Sequence, residues 1–202
     1  MKFPKWAIAV AVIVLLAIWG ISKYISKYND LVTIDQNVKN KWSQVENQYQ
    51  RRSDLIPNLV NVVKGYASHE RETLESVITA RSKATSTTIN ANDMDEAALQ
   101  RFQQSQDALS SALSRLMVVV EKYPDLKANE QFRDLSSQLE GTENRIATAR
   151  RDFNDAAQQY NTHRNKFPTV IVAGLAGFRE RPYFTAQAGS EVAPTVDFST
   201  EK

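Results

Sequence analysis

The stretch "QRRSDLIPNLVNVVKGY", residues 50–66, decides how the chain folds. It sets two arginines, an aspartate and a proline between two runs with apolar residues at helical spacing. Proline removes a backbone donor and crowds the preceding turn, so it sits best in the first turn of a helix. Ser53 or Asp54 ahead of Pro57 offers a side-chain cap for such a start. The reading from sequence is therefore a hairpin tip over 50–57, between helices expected at 22–53 and 55–86.

Outward from that break the same period recurs. Leu31, Ile34, Val38, Trp42, Val45 and Tyr49 precede it, and Leu59, Val62, Val63, Tyr66, Leu74, Val77 and Ile78 follow it. A third run spans Ala98 to Tyr123. The fourth alternates three- and four-residue steps from Phe132 through Leu139, Ile146, Phe153 and Tyr160 to Phe167, the spacing of a coiled-coil seam. That seam can pair within the chain or with another molecule; the bundle already needs it. The "TSTTINANDMD" stretch and the "YPDLKANE" stretch punctuate the runs, with Asn92 or Asp93 expected to cap the third helix. Helices at 93–123 and 128–166 follow.

Matched lengths and short connections predict an all-α chain: a long antiparallel up-down-up-down four-helix bundle over 28–184. The 50–57 and 123–128 turns then share the distal tip, and the 86–93 loop lies at the base. Facing residues of the first and fourth helices should have numbers summing to about 178, from the sequence spacing at 1.5 Å per residue. Val45 would face Phe132, Val38 would face Leu139 and Leu31 would face Ile146. A shift of more than about two turns counts against this packing.

The segment before the bundle, 1–27, reads as a membrane anchor. No charge falls between Trp6 and Ile21, and Phe3–Ile25 is long enough for a span, which takes about 20 residues. Leu15 and Leu16 lie in its middle. Trp6 and Trp19 sit where interfacial aromatics belong, and lysines flank both ends. No small-residue cleavage site follows, which favours a retained anchor over a signal peptide. Lysines balance across the span, Lys2 and Lys5 before it and Lys23 and Lys27 after it, so their count gives little. The amino terminus beside Lys2 and Lys5 tips the reading to a cytoplasmic N-terminus, which puts the bundle outside the cytoplasm.

Composition excludes several functions. Cysteine is absent, net charge is +2, and the six glycines form no phosphate-binding pattern. Nucleic-acid binding needs a basic field that the chain lacks. His69 and His163 fall at unrelated levels, and the "HERE" stretch lacks the second histidine of a metalloprotease helix, so no metal or cofactor is expected. Carboxylates such as Glu70, Glu72 and Glu75 read as solvated helix charges, and no enzymatic activity is expected. Asn144, Asn154 and Asn161, with Glu143 and Arg150, form a polar stripe beside the fourth seam and read as register-setting groups. Arg51, Arg52, Asp54, Glu121 and Asp125 converge at the expected tip; they read as helix-terminal charges and as a candidate partner-docking patch. The apolar stretch 167–178 is too short to span. It either plugs the base of the bundle or lies in the membrane interface through Val170, Ile171, Val172, Leu175 and Phe178, with Tyr183 and Phe184 as further anchors and Arg179 and Arg181 at headgroups. Residues 185–202 are polar and aperiodic, which predicts a disordered tail.

Taken in order, "YNDLV", "VENQYQRRSDLIPNLVNVVKGYASHE", "SRLMVVVEKYPDLKANEQF", "LEGTENRIATARRDFNDAAQQYN" and "FPTVIVAGLAGF" resemble the LemA family over about residues 28–184. The resemblance implies a single-pass protein of the bacterial inner membrane with a long helical bundle and no known enzyme activity. It implies membrane-protein quality control, with a metalloprotease of the HtpX type among the partners, or organisation of internal membranes. A scaffold or adaptor, self-assembling or holding protein partners at the lipid bilayer, is the expectation that follows.

Overall fold

The computed structural model describes residues 5–185. The expected disordered tail lies outside the described residues except for Thr185, as do the first four residues of the expected anchor. Every regular element among the described residues is helical: α1 Lys5–Tyr66, α2 Arg71–Ser86, α3 Glu96–Val120, α4 Pro124–Ala128, α5 Glu130–Asn165 and α6 Thr169–Ala176.

The opening stretch is not a turn. α1 runs unbroken for 62 residues, about 93 Å at 1.5 Å per residue, and carries Pro57 in its interior. The reason lies in the acceptor that proline orphans. With no N–H at Pro57, the Ser53 carbonyl four residues earlier loses its helical donor. Arg81 of α2 supplies a replacement: its Nε donates to the Ser53 carbonyl oxygen at 2.8 Å. The Ser53 and Thr85 hydroxyls also bond, at 3.0 Å. The neighbouring helix thus satisfies what the proline leaves open, and the helix continues.

The first reversal comes at 67–70, where Ala67 N–H still bonds the Val63 carbonyl and Glu70 N–H closes on Ala67. Gly65, a weak helix former, stands just before it. α2 descends for only 16 residues. The 87–95 segment completes the descent, burying Ile89 and Met94 in an apolar cluster shared with residues of α1, α3 and α5. Asp95, two residues after the expected cap, starts α3 by accepting from Ala98 N–H. Asn129 caps α5 by accepting from Phe132 N–H. The up-down-up-down order survives with unequal lengths.

Moving the first turn moves the register. Lys41 pairs with Asp152, Arg52 with Glu143 and Tyr66 with Asn129. Facing numbers therefore sum to about 195, not about 178, a displacement well beyond two turns. Val45, Val38 and Leu31 do not face Phe132, Leu139 and Ile146. The antiparallel packing persists because every pair is displaced together, by the length of the mislocated turn.

Two apolar clusters fill the interior. The lower holds Leu31, Trp42, Val45, Phe102, Phe153, Tyr160 and Phe184; the upper holds Ile56, Leu59, Val63, Leu109, Leu116 and Leu139. Arg52 lies between them, 1% exposed. It donates to Glu143 at 2.8 Å, Ser110 at 2.9 Å and Gln106 Oε1 at 2.5 Å, and its guanidinium sits 5.0 Å from the Tyr49 ring. Both terminal nitrogens of the guanidinium are paired, while its Nε has no partner. A buried charge held this way penalises slipped pairings, because a slip strips it of those partners.

Candidate functional site at the membrane-proximal end

The lower end of the molecule brings together three features: the exposed start of α1, the short helix α6, and the extended segment 179–185. Along α1 none of the apolar residues from Ile8 to Ile25 touches the bundle core. Trp6, Leu15, Leu16 and Trp19 are all more than 60% exposed. This part of α1 is long and apolar enough to cross a membrane. Among the described residues the first buried one is Leu31, so one helix carries both the apolar stretch and the wall of the core.

α6 packs on α1 and α5. Thr169, Val172 and Ala173 are buried, while Ile171 is 55% exposed and Leu175 75% exposed. The helix ends at Gly177, whose φ of 74° lets Phe178 N–H turn back to the Ala173 carbonyl at 3.0 Å. Phe178 then meets the Tyr28 ring edge-on at 5.6 Å. The expected interfacial set therefore splits. Val172 belongs to the lower core and Phe178 is half-buried on Tyr28, while Val170, Ile171 and Leu175 face outward together with Phe167. One side of α6 plugs the base, and the other is open.

The segment after α6, for which anchoring at the interface is one of the two readings from sequence, folds back along the bundle as a strap. Asn161 Nδ2 donates to the Arg181 carbonyl at 2.8 Å and its Oδ1 accepts from Arg181 N–H at 2.9 Å. Asn154 repeats the pattern on Phe184, at 3.0 and 2.9 Å. The spacing explains the fit: seven helical residues rise about 10.5 Å, and three extended residues cover about 10 Å. Two asparagines a heptad apart thus present the donors and acceptors of a neighbouring strand. Gln103 and Arg150 both donate to the Thr185 carbonyl, and Arg164 Nε donates to the Phe178 carbonyl.

Side chains lock the strap from both flanks. Phe184 is buried, stacked 6.1 Å from Trp42 and edge-on to Phe153 at 5.6 Å. Arg181 places two guanidinium nitrogens on Asp35 Oδ1, at 2.6 and 3.0 Å, and a third on the Ala91 carbonyl at 2.8 Å. Asp35 is 6% exposed and also meets Lys39 at 2.9 Å. The Tyr160 hydroxyl donates to the Arg179 carbonyl at 2.8 Å. Its pKa is pushed up to about 12 by burial first and by the Asp35 charge second. Arg181 and Phe184 thus hold α1, α5 and the 87–95 segment together, rather than reaching lipid. Asn154 and Asn161 belong to the stripe noted beside the seam, but their partner is the chain's own carboxyl-terminal segment. Nothing in the period of the sequence announces that pairing, because 179–185 has none.

Removing one asparagine clamp should be measurable without unfolding the bundle. Asn161→Ala deletes three side-chain hydrogen bonds, two to Arg181 and one to the Tyr183 hydroxyl. A destabilisation of about 1–3 kcal/mol is expected. Hydrogen exchange should show early loss of protection in 179–185 while the upper cluster stays protected.

A cleft of about 680 Å³ lies between the strap and residues 92–96, bordered by Asp93, Asp95, Glu96, Tyr160, Arg179 and Glu180. Among the described residues no cluster of three or more histidine, aspartate or glutamate side chains is arranged to hold a metal ion.

At the opposite end, the expected tip is rebuilt from other residues. Asn129 Nδ2 donates to the Tyr66 hydroxyl and the Tyr123 hydroxyl donates to Glu70. Glu121 and Asp125 do lie there, with Glu121 bound by Lys127. Arg51, Arg52 and Asp54 do not: they sit within α1, some 12–15 residues before Tyr66, or about 20 Å below the tip. Arg51 and Asp54 are exposed, with Asp54 accepting from Gln50, whereas Arg52 is internal. No patch combining the five exists.

Fold and site together define a membrane-associated helical protein whose carboxyl-terminal strap binds its own bundle. The chain belongs to the LemA family, whose sequence pattern matches residues 41–198. It is similar to Magnetosome protein MamQ 2 of Paramagnetospirillum magneticum, 28% identical over 189 residues, covering 85% of this chain and 69% of that protein. Magnetosome protein MamQ of Magnetospirillum gryphiswaldense is 27% identical, covering 88% and 71%. Protein LemA of Metamycoplasma hominis is 26% identical over 150 residues, covering 74% of this chain and 65% of its own length.

Proposed function

We propose that the protein is a non-enzymatic, membrane-anchored scaffold that presents a stiff helical rod to protein partners. The observation that carries this reading is the continuity of α1, which passes from exposed apolar turns into the buried wall of the core without a break. No joint decouples anchor from bundle, so membrane position sets bundle position. From Ile25 to Tyr66 the rise is about 60 Å, which sets the tip residues Tyr66, Glu70, Glu121 and Asp125 well above the lipid. The arrangement in this reading is a single pass of the bacterial inner membrane, with the N-terminus cytoplasmic and the bundle on the other side, the orientation favoured by the amino terminus beside Lys2 and Lys5. The partners in this reading are further copies of the chain and a membrane metalloprotease of the HtpX type.

Capture of the full-length protein from crosslinked native membranes tests this. Specific protein partners or discrete homo-oligomers are expected. A strictly monomeric protein with no crosslinked partner argues against the scaffold.

A second reading is organisation of the membrane itself. The open apolar side of α6 beside α1 favours it, as do relatives named as magnetosome proteins.

A further inference from the structure

Phe167, Val170, Ile171 and Leu175 leave an unpartnered apolar face on and beside α6, and Phe167 is 81% exposed. Three observations say what covers it. First, α6 packs on α1, and Phe178, two residues past its end, sits against Tyr28, three residues past Ile25, where the exposed apolar turns end. The face therefore continues the apolar surface of the span at its rim. Second, exposed basic side chains flank it along the chain, Lys166 just before α6 and Arg179 just after, and Lys23 is exposed on α1 near the end of its apolar turns. Cations flanking an apolar helix face suit an anionic headgroup layer. Third, the face is held in one orientation. Val172 and Ala173 are buried in the lower core, and Arg164 grips the Phe178 carbonyl at 2.9 Å. A surface ordered in advance loses little freedom on binding.

We propose that α6 is an interfacial foot that enters the headgroup and upper acyl region of the same bilayer that α1 crosses. Phe167, Val170, Ile171 and Leu175 enter the lipid, and Lys23, Lys166 and Arg179 meet anionic headgroups. The foot fixes the tilt of the rod, because a bundle held by α1 and α6 together has two points of contact with the membrane. This inference rests on the anchored reading of α1 and adds a second lipid contact to it.

The absence of native cysteine makes the test direct. Single variants Ile171→Cys, Leu175→Cys, Leu16→Cys and Ile78→Cys of the full-length protein carry a nitrobenzoxadiazole label in vesicles of phosphatidylethanolamine and phosphatidylglycerol. Leu16 reports the span, and Ile78, 52% exposed on α2, reports water. Spin-labelled lipids should quench the labels at 171 and 175 several-fold more than at 78, shallow spin labels more than deep ones. Leu16 should be quenched best by deep labels. Labels at 171 and 175 that match 78 while 16 is quenched overturn the foot and leave the anchor standing. A blue-shifted but lipid-insensitive label at 171 or 175 means that a second copy or another protein covers the face, which also overturns it. An unquenched label at 16 overturns anchor and foot together. Replacing phosphatidylglycerol by phosphatidylcholine should weaken quenching at 175 at least twofold, and no change removes the headgroup contacts from the proposal.

Discussion

Arg181→Ala is expected to lower the stability of the folded chain by about 3 kcal/mol, near the low end of the ~3–5 kcal/mol seen when one partner of a buried ion pair is removed. The substitution strips Asp35 of two hydrogen bonds and leaves the Ala91 carbonyl without its donor. Lys39 remains 2.9 Å from Asp35 and softens the loss. Denaturation of the detergent-solubilised full-length protein by urea, followed by far-ultraviolet circular dichroism, measures the change. The cycle with Asp35→Asn isolates the pair: the second substitution should cost much less in the Arg181→Ala background than alone. Additive losses, or a single-variant effect under about 1 kcal/mol, would mean that the strap is not held through this pair.

Trp42→Ala is expected to cost about 3–5 kcal/mol, the range for deleting a large aromatic from a packed core. Trp42 is 1% exposed and touches three rings: Phe102 of α3 at 5.3 Å, Phe153 of α5 at 5.6 Å and Phe184 of the strap at 6.1 Å. Among the described residues no other side chain joins α1, α3, α5 and the 179–185 strap by aromatic contacts, so its loss opens a cavity that four segments share. Trp42→Phe retains most of these contacts and should cost much less. Equal effects of the two substitutions would sink this account of the lower core. The same urea titration decides it, with loss of protection at Phe184 expected to accompany loss of protection in α5.

Much of the architecture is legible in the amino-acid pattern. The helix expected at 128–166 is α5, Glu130–Asn165, because three- and four-residue apolar steps mark a helix with one buried face. Its seam is buried as far as Tyr160, whereas Phe167, read as its last member, lies past the helix end and is exposed. The apolar segment around Leu15 and Leu16 is equally plain. The turn was misplaced because Pro57 is the strongest helix breaker in its neighbourhood, whereas the real turn after Gly65 and Tyr66 carries only weak signals. A proline's cost depends on whether its orphaned carbonyl finds a donor, and that donor, Arg81, lies 28 residues away. Arg52, read as a tip residue for the same reason, is a buried cross-bundle ligand of Gln106, Ser110 and Glu143.

What the chain's own order of residues determines is local: helical period, an apolar segment of membrane-crossing length, and the heptad recurrence of Asn154 and Asn161. These follow from side-chain spacing on a single helix, which needs no neighbour to be read. Tertiary structure alone decides the position of the first turn, the register of α1 on α5, and the return of 179–185 along the asparagine stripe. Each of those depends on a polar group in one segment being satisfied by a group far away in the chain, and such pairings carry no local period. The strap is the clearest case: without α5 beside it, "RERPYF" is an extended peptide with open backbone groups, and on α5 it is part of the core.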